Sequence, residues 1–454
     1  MTQLARQPMF RPTSRREFLV GGLLTGTALV VAPRISTGIR QAPNIRQAPK
    51  PGLTMAWWGE ATRDKSFLYA LSEFTKTYNI SVTAAYSGYS DYFAKLDTEM
   101  AGGDAPDVFQ LATPIDFGTE TVLADLSPYI GKPLQIGNIN AAALHSLLWN
   151  GKLYCVPQGL GAIAIYVNAT MLEKVHASFP VQDTWTWDDF ATLTTALSKE
   201  SPKGVYGCVD VWAPGVAGNS IGGPLEVFVR QRGREMFTPD AQYEFTREDL
   251  SDWFAMWAQL RKVGAVTPPD ITAAVDDSPD ASVLISRKGY MNFDYTGVLD
   301  GLQAATPDEL NLWLLPNGPA GSRPGQFVGA KNPLAVPKSS KNLAEAVELI
   351  NYLVNSPTLD LDFGTENGVP SNERRTAVVS KHATGSTIRD LAYINAVDNH
   401  QTPFPGPLTL GSADWWSTVM QNAHEEVAFG RETIAEAVDT VFSPASRTIL
   451  KPLG

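Results

Sequence analysis

The stretch LTMAWWGEATRDKSFLYALSEFTKTYNISVTAAY, residues 53–86, changes its hydrophobic period twice within thirty-odd positions. Leu53-Thr54-Met55-Ala56-Trp57 is a short apolar run of strand type, after which Phe67, Leu68, Leu71, Phe74 and Tyr78 recur at helical spacing. Asn79 stops that helix, and residues 80–86 return to strand-like alternation. The same grammar runs on. Ser90 is positioned to cap a second helix with Phe93, Leu96 and Met100 on its apolar face, closed by Gly102-Gly103, and residues 107–111 form the next strand. This βαβαβ order specifies an α/β fold with a mostly parallel sheet and helices on both of its faces.

Further along, Thr186-Trp187-Asp188-Asp189 and Thr246-Arg247-Glu248-Asp249 have the form of capping boxes that open helices. The second of these helices carries Leu250, Trp253, Phe254, Trp257 and Leu260 on one face. A helix from Leu343 ends before Pro357, and two more are expected over 415–429 and 434–442. So much α/β sequence without an internal repeat suggests two lobes. Ligands of open α/β sheets sit beyond the carboxyl ends of the strands, so a cleft between two lobes is the expected site.

Composition sets outer limits. With 44% hydrophobic and 18% charged residues the chain is globular, and its formal charge of −11 argues against a nucleic-acid partner. Ser14-Arg15-Arg16-Glu17-Phe18-Leu19, ahead of an apolar run over 18–32, looks like a twin-arginine export signal. That run is shorter than the ~20 residues a spanning helix needs. Residues 1–32 are therefore expected to be a signal peptide and 33–52, with their repeated Ala-Pro pairs, a linker. No cysteine lies near the junction, so a periplasmic or extracellular product without a lipid anchor is expected.

Catalytic and cofactor signatures are weak. Gly218-Asn219-Ser220-Ile221-Gly222 has the letters of a nucleophile elbow, but Pro214 and Gly215 interrupt the strand that should precede it. Gly159-Leu160-Gly161-Ala162-Ile163-Ala164 resembles a dinucleotide fingerprint leading into strand-like sequence, where the motif needs a helix. Five scattered histidines and two cysteines, Cys155 and Cys208, offer no metal-ligand spacing, so neither metal nor cofactor is expected. The two cysteines could form one bridge or stay as buried thiols. Aromatic residues are more telling. Trp149, Trp185, Trp187, Trp253, Trp257 and Trp313 suit packing. Trp57-Trp58 ends a strand, where adjacent side chains must point to opposite faces; Trp415-Trp416 opens a helix, and Trp212 lies in a Pro/Gly-rich loop. Flat rings of this kind stack on sugar faces while carboxylates and amides bond the hydroxyls.

Trp149-Asn150-Gly151-Lys152-Leu153-Tyr154-Cys155-Val156-Pro157, followed by Tyr166-Val167-Asn168, resembles a passage of bacterial extracellular solute-binding proteins of the sugar type. Gly102-Gly103-Asp104-Ala105-Pro106-Asp107-Val108 is similar to a turn of that family. So are Thr184-Trp185-Thr186-Trp187 to a helix start, Glu366-Asn367-Gly368-Val369-Pro370 to a hinge turn and Ser412-Ala413-Asp414-Trp415-Trp416 to an aromatic segment. The resemblance implies a two-lobed periplasmic-binding fold, with lobe 1 at 53–160 plus 327–368 and lobe 2 at 161–326 plus 369–454. It implies a monomeric receptor, without enzymatic activity, that closes on a carbohydrate and passes it to the membrane permease of an ATP-driven importer. The ligand positions it implies are Trp57, Trp58, Glu60, Arg63, Tyr89, Gln110 and Thr113 in lobe 1, with Gln158 and Gly161 at the crossing. In lobe 2 they are Asp210, Trp212, Asp294, Tyr295 and Trp415. Glu60 stands where the family often has asparagine. Alternative readings are a secreted carbohydrate-active enzyme with Glu60 and Asp294 as its acid/base pair, or a receptor for a polyol, an amino sugar or a glycerol-phosphate ester.

Overall fold

The computed structural model describes residues 52–59, 61–112, 119–175, 180–214, 217, 220–275, 282–400, 402–404 and 409–452. The expected signal peptide and nearly all of the expected linker lie outside them. Strand β1 (Leu53–Trp58), helix α1 (Ala61–Tyr78), strand β2 (Val82–Ser87), helix α2 (Tyr89–Gly102) and strand β3 (Val108–Gln110) follow the order that the opening stretch predicts. β1 pairs in parallel with both β2 and β3. Asn79 ends α1 with φ of 56°, a left-handed value that asparagine tolerates, and Gly103 closes α2 at φ of 80°. The start of α2 differs from expectation: the cap is Gly88, two residues before Ser90, because the extended backbone of Gly88 already turns the chain into the helix.

Short strands β4 (Leu148–Trp149) and β5 (Lys152–Leu153) form a hairpin that leads to β6 (Cys155–Val156), β7 (Gly159–Gly161) and β8 (Ile163–Asn168). The later strands are β9 (Tyr206–Cys208), β10 (Gly289–Tyr295), β11 (Leu310–Trp313), β12 (Gly329–Lys331), β13 (Leu334–Ala335) and β14 (Val369–Pro370). They make a first sheet of order β2-β1-β3-β13-β6, a second of order β11-β8-β10-β9 and a small third of order β12-β7-β14. The second sheet is mostly antiparallel, unlike the parallel sheet that the alternating pattern implied. β8 pairs antiparallel with β10 and β11 because the chain enters it directly from β7, with no crossover helix to reverse direction. The third sheet is where the chain passes between the other two. β7 leads from β6 to β8, β12 returns from β11 to β13, and β14 precedes the helix Gly385–Asn399, which packs beside β11.

Each large sheet has its own core. The first gathers Met55, Trp57, Phe67 and Phe74 with Val108, Leu334 and Ile350. The second gathers Phe190, Trp253, Trp257 and Phe293, and both Thr186 and Thr246 form full capping boxes at the helices feeding it. The six tryptophans expected in packing are all buried. Cys155 and Cys208 are buried in different sheets and not joined by a disulfide, and burial pushes the Cys208 thiol well up. Among the described residues no helix is long and apolar enough to cross a membrane, and no cluster of potential metal ligands forms.

Candidate functional site

Strand alternation divides the Trp57-Trp58 pair as expected. Trp57 is fully buried in the first core, its indole N–H donating to Asp64 Oδ1 at 2.8 Å and its ring stacked 5.0 Å from Tyr86. Trp58 faces the other way, 5.7 Å edge-on from Tyr89 and 5.4 Å from Phe93, and all three line a cavity of about 1230 Å³. From the second sheet's side the cavity takes Asp294 and Tyr295, which end β10, together with Trp416 and Gln421. Gly161 and Lys331, from the crossing strands β7 and β12, form part of its floor.

The polar groups of this floor are tightly organised. Arg63 Nη1 donates to the Trp58 carbonyl at 3.0 Å and Nη2 to the Glu366 carbonyl at 2.9 Å, with Glu366 Oε1 a further 3.3 Å away. It therefore ties the end of β1 to the segment before β14. Burial raises the Glu366 carboxyl, and Arg63 opposes the shift. Lys331 donates to the Thr296 carbonyl; burial and the nearby Arg63 pull its ammonium down to about 8, against Asp294, Asp390 and Glu366. Tyr295 bonds the Ile221 carbonyl through its hydroxyl, and burial holds that phenol protonated well beyond the usual range.

Of the residues expected to meet a ligand, Trp58, Arg63, Tyr89, Gly161, Asp294 and Tyr295 line this cavity. Six others are turned elsewhere. Trp57 belongs to the core. Gln110 Nε2 donates to Asn367 Oδ1 at 3.1 Å and Gln158 Nε2 to the Asn332 carbonyl at 2.8 Å, so both brace the crossing segments. Asp210 is fully buried and accepts from Arg261 Nη1 at 2.7 Å. Trp212 packs 5.9 Å from Phe429. Trp415 is enclosed by Phe237, Tyr243 and Phe245, its indole N–H donating to the Tyr243 hydroxyl at 2.6 Å. Glu60 and Thr113 lie outside the described residues.

Lys331, Asn292, Phe327 and Phe404 line the cavity without any expectation from sequence, and the sequence marks Trp416, which lines it too, only as one of the Trp415-Trp416 pair. Trp416 could have been found, since it adjoins an expected position on a helix whose other face is core. Phe327 and Phe404 meet edge to face at 5.1 Å from segments far apart in the chain, a juxtaposition with no local signal.

The pattern described as "Bacterial extracellular solute-binding protein" matches residues 70–381. The chain belongs to the bacterial extracellular solute-binding family. Solved structures resemble this solute-binding protein over most of its length. A periplasmic oligogalacturonide-binding protein of Yersinia enterocolitica, solved with saturated digalacturonic acid, is 21% identical, with a TM-score of 0.77 over 88% of this chain and 99% of its own. An ABC substrate-binding protein of Listeria monocytogenes, in complex with cycloalternan, is 19% identical, with a TM-score of 0.72 over 88% and 97%. An ABC transporter solute-binding protein of Thermotoga lettingae, bound with alpha-D-tagatose, is 19% identical, with a TM-score of 0.72 over 89% and 100%. At these identities the likeness establishes the two-lobed fold, and the extracellular family implies an exported protein.

Proposed function

We propose that this chain is the substrate-binding component of a carbohydrate ABC importer, capturing a sugar or oligosaccharide by lobe closure and delivering it to the membrane permease. The observation that carries the reading is a single cavity walled from both large sheets, with the rings of Trp58 and Tyr89 on one side and Trp416 on the other. At about 1230 Å³ it exceeds the ~300–1,000 Å³ of ordinary small-molecule sites, which leaves room for more than one sugar ring. Rings stack on sugar faces, while Asp294, Lys331 and Gln421 offer both acceptors and donors to hydroxyls. The structures of relatives holding digalacturonic acid, cycloalternan and tagatose support a carbohydrate ligand.

The receptor works as a monomer without catalysis, exported by the twin-arginine route and released without a lipid anchor. Its lobes are 53–160 with 327–368, and 161–326 with 369–454. The helix Glu373–His382 also bonds to residues of the other range, since Arg375 donates to the carbonyls of Leu353 and Leu359 at 2.8 and 2.9 Å. A thermal-shift screen of the purified protein against a mono- and oligosaccharide library, followed by calorimetry on the hits, tests the function. Stoichiometric binding without turnover is expected. A flat screen, or hydrolysis of an oligosaccharide, overturns it.

A further inference from the structure

One wall of the cavity has a chemistry of its own. Val209, Ala213, Val275 and Val283 are buried, form a small apolar cluster separate from the two main cores, and all line the cavity. The fold sets them against β10. Met291 pairs with Cys208 in the β9–β10 ladder and its carbonyl accepts from the Val209 N–H at 2.9 Å, so Val209 flanks Asn292. At the start of β10, a Cβ built on Gly289 would stand 2.9 Å from Val283 Cγ2. Strand alternation sends Met291 and Phe293 into the second core and brings Asn292 and Asp294 to the cavity.

Two polar side chains complete this wall. Asn292 is 6% exposed and Ser282 is 8% exposed, and among the described residues neither Asn292 Oδ1 nor Ser282 Oγ has a hydrogen-bond partner. Buried polar atoms are almost always paired, and one left unpaired is costly, so these two call for partners supplied by whatever fills the cavity. A bare hydroxyl would pair them but set a polar group against the apolar cluster, whereas a plain alkyl chain would suit that cluster but strand the polar atoms.

We propose that this wall receives the acylamino group of an N-acylated amino sugar, which rests on the reading of the cavity as a carbohydrate site. The amide N–H donates to Asn292 Oδ1, the amide carbonyl accepts from the Ser282 hydroxyl, and the acyl carbon packs on Val209, Val275 and Val283. Charge favours a neutral substituent. The described lining carries five carboxylates against two cations, Arg63 and Lys331, and Arg63 is already engaged by Glu366, so a sulfated or carboxylated substituent meets a net negative wall.

The test is calorimetry on the mature protein with N-acetylglucosamine, N-acetylgalactosamine and N-acetylmannosamine. Each is compared with its free amine and with glucose, galactose or mannose, and chitobiose and cellobiose serve as a longer matched pair. In at least one configuration the acetamido sugar should bind about tenfold tighter than its parent. Val283→Thr, which keeps the volume but adds a hydroxyl, and Asn292→Leu should each bring the ratio of acetamido-sugar to parent-sugar affinity most of the way to one. Thermal midpoints check that both variants fold. Parents binding as tightly as their acetamido derivatives, or a gain that survives both variants, overturns this inference and leaves the carbohydrate receptor intact. Absence of binding by every sugar in the set overturns both.

Discussion

Trp415 and Trp416 are both buried in the second core, but of the two only Trp416 also lines the cavity. They begin a π-helical turn, Trp415–Met420, with rings 5.3 Å apart and nearly perpendicular. Trp415 has its N–H satisfied by Tyr243 and sits among three aromatic rings, whereas among the described residues Trp416 Nε1 has no partner. Trp415→Ala should therefore lower stability by about 3–5 kcal/mol, the usual cost of emptying a large buried ring site. Sugar affinity of the folded fraction should stay within about threefold. Trp416→Ala should also cost stability, since its ring is buried in the same core, and should in addition weaken sugar binding by about tenfold or more, through loss of the ring at the cavity. Calorimetry paired with denaturant unfolding separates the two, and equal binding loss in both variants would refute the division. The sequence marks this pair as special but not which ring faces the ligand. For Trp57-Trp58 strand alternation says that the rings face opposite ways, though the sequence reading keeps both as ligand positions, while here the choice depends on Phe237, Tyr243 and Phe245, from another part of the chain.

Among the elements, the crossing sheet of β7, β12 and β14 is the most constrained. Gly159 can carry no side chain, because a Cβ there would come 2.1 Å from the Asn367 carbonyl oxygen, and Gly368 holds φ of 90° where a Cβ would come 2.5 Å from the Leu160 carbonyl oxygen. The crossing turns are legible in sequence as Gly-rich and Gly-x-Pro segments. Gln110 and Gln158, which brace them together with Asn332 and Asn367, read instead as ligand positions, because a buried amide in a cleft loop looks the same in sequence whether it bonds a sugar or the chain itself. A second device lies beside this sheet. Asp390, on the helix Gly385–Asn399, accepts from Thr365 Oγ1 at 2.8 Å, and burial pushes its carboxyl up to about 7, with Asp300 adding and Lys331 opposing. The folded chain then keeps a proton that the unfolded chain releases near pH 4. Stability falls as pH rises from about 4 to about 7 and is flat for this group above that. Asp390→Asn should flatten that decline, seen as urea midpoints at pH 4.5 and 7.5 that differ less than in the parent protein. An unchanged difference would mean that Asp390 ionises freely in the fold.

For the molecule as a whole, the proposed capture by lobe closure makes binding depend on the balance between open and closed lobes, and one term in that balance can be isolated. Asp97 on α2 and Asp414, just before the π-helical turn, line the same cavity from opposite lobes. The Asp97 carboxyl is raised first by burial and then by Asp414, so the two carboxylates repel as the lobes come together. A ligand must supply the free energy that opposes this, and a protein relieved of it closes more readily. Exposed like charges repel only weakly, by at most roughly 0.5–1 kcal/mol, or about two- to fivefold in affinity. Asp97→Asn and Asp414→Asn should therefore each tighten sugar binding by about that factor at low salt. Combining them should add little, since either one already abolishes the repulsion, and the gain should shrink toward 0.5 M salt as screening takes over. If the carboxylates instead bond ligand hydroxyls directly, each single variant weakens binding and the losses accumulate. The sign of the first titration therefore decides whether this acidic pair gates closure or grips the sugar.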